Sequence, residues 1–269
     1  MTGFATLIAQ SADVDDSFTT FTPRKTNHRR SDMHMNHATF AASPSLRLSL
    51  KRGLARQALS DAGKTAPDVP LLFRMAAVLR PNRKGLERLA ARIKDRPGVC
   101  RAALTKDGKA LTFITRARRD VRAQVEGEQL FNETGLIYLR SEVGMIGSSI
   151  GFRLSAVSFC EHALERLVER SDLPLDRPLL PQVDDEARAI FRGWDRNARI
   201  IEDGDEFYSA ETPGLWAGGH DELAIEADWN IFKTCGSVPI FSARTFLSPS
   251  KMRPTVWLRW KDDPTCRIA

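Results

Sequence analysis

Residues 152–170, FRLSAVSFCEHALERLVER, pass from strand-like to helix-like sequence without a break. Residues 148–159 are typical of a strand, whereas after Cys160 the apolar residues recur every three or four positions, as on one side of a helix. We therefore expect an amphipathic helix that packs on the sheet containing the preceding strand. Its predicted apolar side consists of Ala163, Leu164, Leu167 and Val168.

Five further segments are predicted to be helical or buried. Residues 84–95 have the clearest helical period, because their apolar residues share one face. The charged run RARRDVRAQVEGEQL at 116–130 is also expected to be helical. Residues 69–80 are apolar enough to form a buried helix or a buried strand. The other two predicted helices cover 51–62 and 179–195.

The remaining regular segments read as strands. Asp107-Gly108 is a strong turn signal and predicts a β-hairpin over 99–116. A strand is expected over 135–146, and short antiparallel segments are expected between 206 and 248. The C-terminal stretch 248–263 fits a short helix or an extended edge. The expected fold class is α+β, an antiparallel sheet with a packed amphipathic helix, preceded by a basic helical and hairpin segment.

Three regions are predicted along the chain. Residues 1–45 are rich in Ser, Thr and Asn and show no sustained periodicity, so they are expected to form a disordered tail. Residues 46–130 form the basic helix and hairpin segment. Residues 131–269 form the α+β domain that carries the helix with His162.

Composition excludes several classes of protein. The chain has 269 residues and is 42% hydrophobic and 28% charged, which suits a soluble protein with a substantial core. It contains no apolar run of the length needed to span a membrane. The four cysteines are widely spaced, so we expect reduced thiols in a cytoplasmic protein, with no metal site and no cofactor.

The net charge of +6 is distributed unevenly. Residues 51–125 contain 19 basic and 6 acidic side chains, a net of +13, and residues 1–50 contribute +1. Residues 126–269 therefore carry −8. A basic segment followed by an acidic one indicates either a surface that faces a polyanion or two parts that attract each other.

Two groups of basic residues are candidate phosphate contacts. Lys84, Arg88 and Arg92 repeat every four residues along one side of the predicted helix 84–95. Like charges at this spacing repel weakly, so a partner anion would stabilise them, although a solvated face is the more common explanation of such a row. The second group is Arg118 and Arg119 in the RARR run.

The polar side of the helix after Cys160 could support chemistry. His162, Arg166 and Arg170 follow one another at one-turn intervals. An imidazole can exchange a proton near neutral pH, and adjacent guanidiniums can bind a phosphate and offset its developing charge. The alternative is an ordinary surface helix with Glu/Arg pairs.

The stretch FCEHALERLVERS resembles the H-A-x-x-R-x-x-x-R helix motif of the barnase/EndoU/colicin/RelE-like group of ribonuclease toxins, through His162, Ala163, Arg166 and Arg170. In that group a helix precedes a curved antiparallel sheet, and PIFSARTFLSPSKMRP is similar to a late strand of that sheet. The resemblance implies that His162 is the acid or base, that Arg166 and Arg244 bind phosphate, and that Thr245 is a polar partner.

These observations predict a metal-independent endoribonuclease or toxin-like nuclease that cleaves RNA by attack of the 2′-OH on phosphate. The alternative is a non-enzymatic nucleic-acid-binding or accessory protein that uses the basic segment 51–125. A third possibility is a structural protein that assembles through its basic and acidic parts. The expected partner is nucleic acid, RNA rather than DNA, with a protein inhibitor or assembly partner as a further possibility and no membrane.

Overall fold

The computed structural model describes residues 44–78, 82–125, 128–146, 149–224 and 236–262. The predicted tail lies outside the described residues up to position 43, as do Cys235 and Cys266. None of the helices described is long and apolar enough to cross a membrane.

The described chain contains six α-helices and one short 3-10 helix. The 3-10 helix covers Pro249–Lys251 and follows the last strand. The α-helices are α1 (Pro44–Lys64), α2 (Val69–Ala77), α3 (Arg83–Ile93), α4 (Glu161–Arg170), α5 (Leu180–Asp195) and α6 (Pro254–Asp262).

Eight strands form one sheet in the order β1-β2-β3-β4-β8-β7-β6-β5. All neighbours are antiparallel except β4 and β8, which run parallel. The strands are β1 (Val99–Leu104), β2 (Ala110–Val125), β3 (Glu128–Ile146), β4 (Ser149–Cys160), β5 (Arg199–Glu202), β6 (Asp205–Ser209), β7 (Leu215–Ala224) and β8 (Ser237–Leu247).

Helices cover both faces of this sheet. On the first face, α1, α4 and α5 pack against Tyr138, Phe159, Trp216 and Phe241. On the second face, α2 and α3 cover β1 to β4 and β8, and α6 covers β5 to β7. Because successive strand residues point to opposite faces, each strand supplies side chains to both cores.

The predicted α+β class is confirmed, and so is the amphipathic helix on the sheet. Ala163, Leu164, Leu167 and Val168 of α4 are fully buried. The helix begins directly after β4, and the Cys160 sulfur accepts a hydrogen bond from the Ala163 N–H at 3.4 Å. The sheet is mixed because the chain passes through α4, α5 and the strands β5 to β7 before it returns as β8, parallel to β4.

The charged run at 116–130 was predicted to be helical, and this prediction is wrong. The run forms the second half of β2 and the start of β3, paired in register from Arg116 opposite Tyr138 to Asp120 opposite Thr134. Hydrogen bonding along β3 overrides the helical tendency of the charged residues, as tertiary context commonly does.

The other boundaries agree more closely. Helix α1 extends beyond the predicted 51–62 at both ends, from Pro44 to Lys64, and Ala55, Leu59 and Ala62 are buried along it. The ambiguous segment 69–80 forms α2, and the hairpin over 99–116 is present as β1 and the first part of β2.

Candidate nucleic-acid interface

Ion pairs join the polar edge of α4 to α1. Arg56 contacts Glu161 at 3.3 Å, and Arg52 contacts Glu165 at 3.9 Å. The Lys51 Nζ donates a hydrogen bond to the Glu169 carbonyl at 3.2 Å. Part of the basic segment therefore faces part of the acidic segment within one chain.

His162 lies on the exposed side of α4 and contacts Arg166. The Arg166 Nε–H donates to His162 Nε2 at 3.2 Å, and Arg166 Nη1 contacts Glu169 at 2.5 Å. A neutral imidazole has one acceptor nitrogen. In this arrangement the arginine occupies the lone pair with which His162 would remove a proton.

Arg170 connects the end of α4 to the end of β8. Its Nη1 donates to the Phe246 carbonyl at 2.7 Å and lies 3.4 Å from the Thr245 hydroxyl. Burial lowers the pKa of Arg170, and the positive charge of Arg166 lowers it further. Arg170 and Thr245 are therefore brought together as a structural link between helix and strand.

Arg244 does not join His162 and Arg166. Phe241 and Ala243 point to the face of the sheet that α4 covers. Gly218 and Gly219 are neighbours on β7, so side chains at these two positions would point to opposite faces of the sheet. A Cβ on Gly218 would meet the Phe241 ring on the face that α4 covers, whereas a Cβ on Gly219 would lie 3.5 Å from the Arg244 guanidinium. The Arg244 guanidinium therefore lies on the face away from α4. The convergence expected of His162, Arg166 and Arg244 is not formed.

Helix α3 is fixed firmly on the second face of the sheet. The Asn82 side chain caps it by accepting the Gly85 N–H at 2.7 Å. Leu86, Leu89 and Ile93 are each 1% exposed and lie in the core above β2 and β3. The opposite side of α3 is therefore held in one orientation toward solvent.

The exposed side of α3 carries the predicted cations. Lys84, Arg88 and Arg92 are all exposed. Within the described part of the chain, no ion pair or hydrogen bond engages them, and the carboxylate among them, Glu87, is paired with Arg83 at 3.0 Å. They contrast with the arginines of α1, which have carboxylate partners on α4.

The turn between β1 and β2 extends this basic region. A Cβ on Gly108 would lie 3.2 Å from Arg83 Cδ, so the start of α3 contacts the turn. Lys106 and Lys109 on the turn are exposed. The acidic side chain between them, Asp107, accepts hydrogen bonds from the Thr105 hydroxyl at 2.6 Å and from the Lys109 N–H. Both hydrogen bonds lower the pKa of Asp107, and the hydrogen bond from the Thr105 hydroxyl has the larger effect.

We refer to Lys84, Arg88, Arg92, Lys106 and Lys109 together as the α3 surface. Residues 82–109 contain nine basic and three acidic side chains, a net charge of +6. Sequence reasoning identified the helix cations but missed the two turn lysines. The Asp-Gly turn was visible in the sequence, but its contact with Arg83 is a tertiary feature.

Arg118 and Arg119 are not shown to belong to the α3 surface. They are neighbours on β2 and so point to opposite faces of the sheet. Arg118 pairs with Asp120 at 3.3 Å and lies near Gly63 of α1, on the face opposite to α3. Arg119 is half-buried.

An ion pair between two half-buried side chains on the first face was also not predicted from the sequence. Arg116 contacts Asp184 at 2.5 Å, and the Tyr138 hydroxyl donates to the same carboxylate at 2.8 Å. The Cys100 sulfur lies 3.7 Å from Arg116, and burial raises the pKa of this thiol to about 12, with Asp184 adding to the effect. The group links α5 to β1, β2 and β3 and keeps Cys100 protonated.

His220 belongs to the glycine-rich stretch GLWAGGHDE, which forms a strand and not a loop. It lies on β7, with Nε2 2.8 Å from the Tyr208 hydroxyl and 3.3 Å from Glu206. Trp194 contacts the ring edge-to-face at 4.5 Å between centroids. Burial lowers the pKa of His220, Glu206 opposes this effect, and the positive charge of Arg199 adds to it.

The described residues contain no group of three or more His, Cys, Asp or Glu side chains placed to hold a metal ion. Comparisons of the chain with protein-family models, curated proteins and solved structures give no match.

Proposed function

We propose that this protein binds nucleic acid through contacts between the α3 surface and phosphate groups. The observation that carries the proposal is the row of three exposed cations, Lys84, Arg88 and Arg92, for which the described chain offers no carboxylate. Exposed lysines and arginines are the usual source of phosphate contacts, which dominate affinity for nucleic acids.

The spacing of the row suits a polyanion. Residues four apart on a helix are displaced by about 6 Å along its axis, and they lie on nearly the same side. Like charges at this spacing destabilise an isolated helix slightly, and a bound phosphate backbone removes that cost. The Lys106 and Lys109 side chains continue the positive charge beyond the start of α3. The resemblance of the α4 segment to ribonuclease toxins favours RNA as the partner.

The test compares two triple variants of the full chain. Lys84→Gln/Arg88→Gln/Arg92→Gln removes the α3 row, and Arg177→Gln/Arg196→Gln/Lys251→Gln removes three exposed cations elsewhere. Both lower the net charge by the same amount. RNA affinity, measured by fluorescence anisotropy at low salt, should fall strongly in the first variant and little in the second. Equal losses, or wild-type binding only to anionic lipid vesicles, would overturn the proposal.

The ribonuclease prediction is supported less well by the geometry. His162 and Arg166 are in contact, but the predicted third member, Arg244, lies on the other face of the sheet. The direct test incubates RNA with wild type and with His162→Ala in the presence of EDTA. Cleavage by wild type that His162→Ala abolishes would favour the enzyme. If RNA stays intact with both proteins, the ribonuclease prediction fails and nucleic-acid binding remains the proposed function.

Assembly through the basic and acidic parts also stays a prediction. The pairs between α1 and α4 use some of these charges within the chain. Sedimentation of the purified chain at low and high salt tests it. A salt-sensitive oligomer would support assembly, and a monomer at both salt concentrations would contradict it.

A further inference from the structure

We infer that the α3 surface holds a nucleic-acid duplex rather than a single strand, an inference that rests on the proposed function. The segment that forms the surface, 82–109, contains no Phe, Tyr, Trp or His. Proteins that bind single strands combine a basic groove with aromatic side chains on which the unpaired bases stack, and that stacking supplies much of their affinity. A surface of this composition offers only charge.

The two aromatic residues that are fully buried beneath α2 and α3 cannot supply that stacking. Phe73 is 2% exposed and Phe113 is 1% exposed, and both lie in the core between these helices and the sheet. Their ring centroids are 6.3 Å apart, so the two rings contact each other. Bringing either ring to the surface would require α2 or α3 to leave the sheet.

The shape of the surface also favours a duplex. The cations stand on the outward side of a capped helix whose other side is buried, so they form a ridge. From Lys84 to Arg92 the ridge extends about 12 Å along the helix axis. A duplex presents a stiff, dense array of phosphates, and the major groove of B-form DNA is wide enough to admit a helix. The major groove of an RNA duplex is deep and narrow, so on RNA the cations would contact the phosphates from outside the groove. A flexible single strand would have to be ordered on this ridge without stacking to offset the lost entropy.

The experiment measures affinity for three probes at one salt concentration. The probes are an RNA duplex, a DNA duplex of the same length, and an oligouridylate of that length, which cannot pair with itself. Wild type should bind either duplex about tenfold or more tightly than the unpaired strand, because the strand lacks both charge density and a stacking partner. Preference for both duplexes or for one of them supports the inference.

Two other outcomes are distinguishable. If oligouridylate binds as tightly as the duplexes, and Lys84→Gln/Arg88→Gln/Arg92→Gln still abolishes binding, the duplex inference fails while the proposed function stands. If none of the probes binds, the proposed function fails as well. The double variant Lys106→Gln/Lys109→Gln leaves α3 intact and should weaken duplex binding. Unchanged affinity would show that the two turn lysines do not contact the duplex.

Discussion

Arg83 lies across Gly108, so that a Cβ on the glycine would be 3.2 Å from Arg83 Cδ. Through this contact, the first turn of α3 and the β1–β2 turn form one basic region. Gly108 has a φ of 67°, in the left-handed region, which glycine adopts without the steric cost that a side chain incurs. One glycine thus serves both the turn and its contact with α3.

Substitution Gly108→Ala should destabilise the fold by about 1 kcal/mol, because alanine at positive φ is strained. Gly53→Ala is the matched control. Gly53 lies in α1, where an added Cβ meets nothing within 4 Å, so this change should stabilise the fold by about 0.5 to 1 kcal/mol. Urea unfolding of both variants checks the opposite signs. Equal effects of the two substitutions would contradict the account of the turn.

Glu186 should be essential for stability. It is fully buried, and its carboxylate accepts hydrogen bonds from the Trp216 indole at 2.9 Å and from the Thr212 N–H at 2.9 Å. Glu186→Ala leaves these donors buried without a partner and should cost about 3 kcal/mol or more. Exposed Glu87→Ala should change stability by less than about 0.5 kcal/mol. A similar urea midpoint for both variants would contradict the assigned role of Glu186.

Asp184 and Arg116 should depend on each other. Their side chains are 19% and 12% exposed, so removing one leaves the other charge largely desolvated. Asp184→Ala should cost about 3 kcal/mol, and adding Arg116→Met should recover part of that loss. A double-mutant cycle of unfolding free energies measures the coupling. Additive losses would show that the pair contributes no specific interaction.

His220 should make stability fall in mild acid. Because the pKa of His220 is lower in the folded protein than its ordinary 6.5, the unfolded chain binds more protons at this site. The stability contribution is therefore complete above about pH 6.5 and is lost as the pH falls toward the folded pKa. Unfolding free energies at about pH 7.5 and about pH 5.5 should differ less in His220→Phe than in wild type. An unchanged difference would assign the pH dependence to other groups.

Local sequence patterns were sufficient for much of this fold. The period of 160–170 predicted α4 because its apolar side is continuous, and Asp107-Gly108 predicted the first hairpin because that dipeptide suits the turn. The run at 116–130 was predicted incorrectly, because its charged residues are compatible with a helix and only pairing with β3 makes it a strand. The position of His220 on β7 likewise depends on pairing with β8 opposite Phe241.

The positions of some residues of the candidate site follow from local sequence, whereas those of others depend on strand pairing. Exposure of Lys84, Arg88 and Arg92 follows from the helical period of α3 alone, and the structure agrees. Arg244 can reach His162 only if its side chain lies on the face of β8 that α4 covers. The register of β7 against β8 shifts between Ala217 and Gly218, and this shift affects the face on which the Arg244 side chain lies. A pattern in one segment does not contain this information.

Phosphate binding by the α3 surface can be measured through the salt dependence of its affinity for a DNA duplex. For B-form DNA the logarithm of affinity falls with the logarithm of salt concentration with a slope of about −0.9 per phosphate contacted. Five contacts by the α3 surface predict a slope of about −4.5, and Lys84→Gln/Arg88→Gln/Arg92→Gln should reduce its magnitude by about 2.7. The Arg177→Gln/Arg196→Gln/Lys251→Gln control should keep the wild-type slope. Equal slopes for wild type and the α3 variant would contradict the assignment of phosphate binding to this helix.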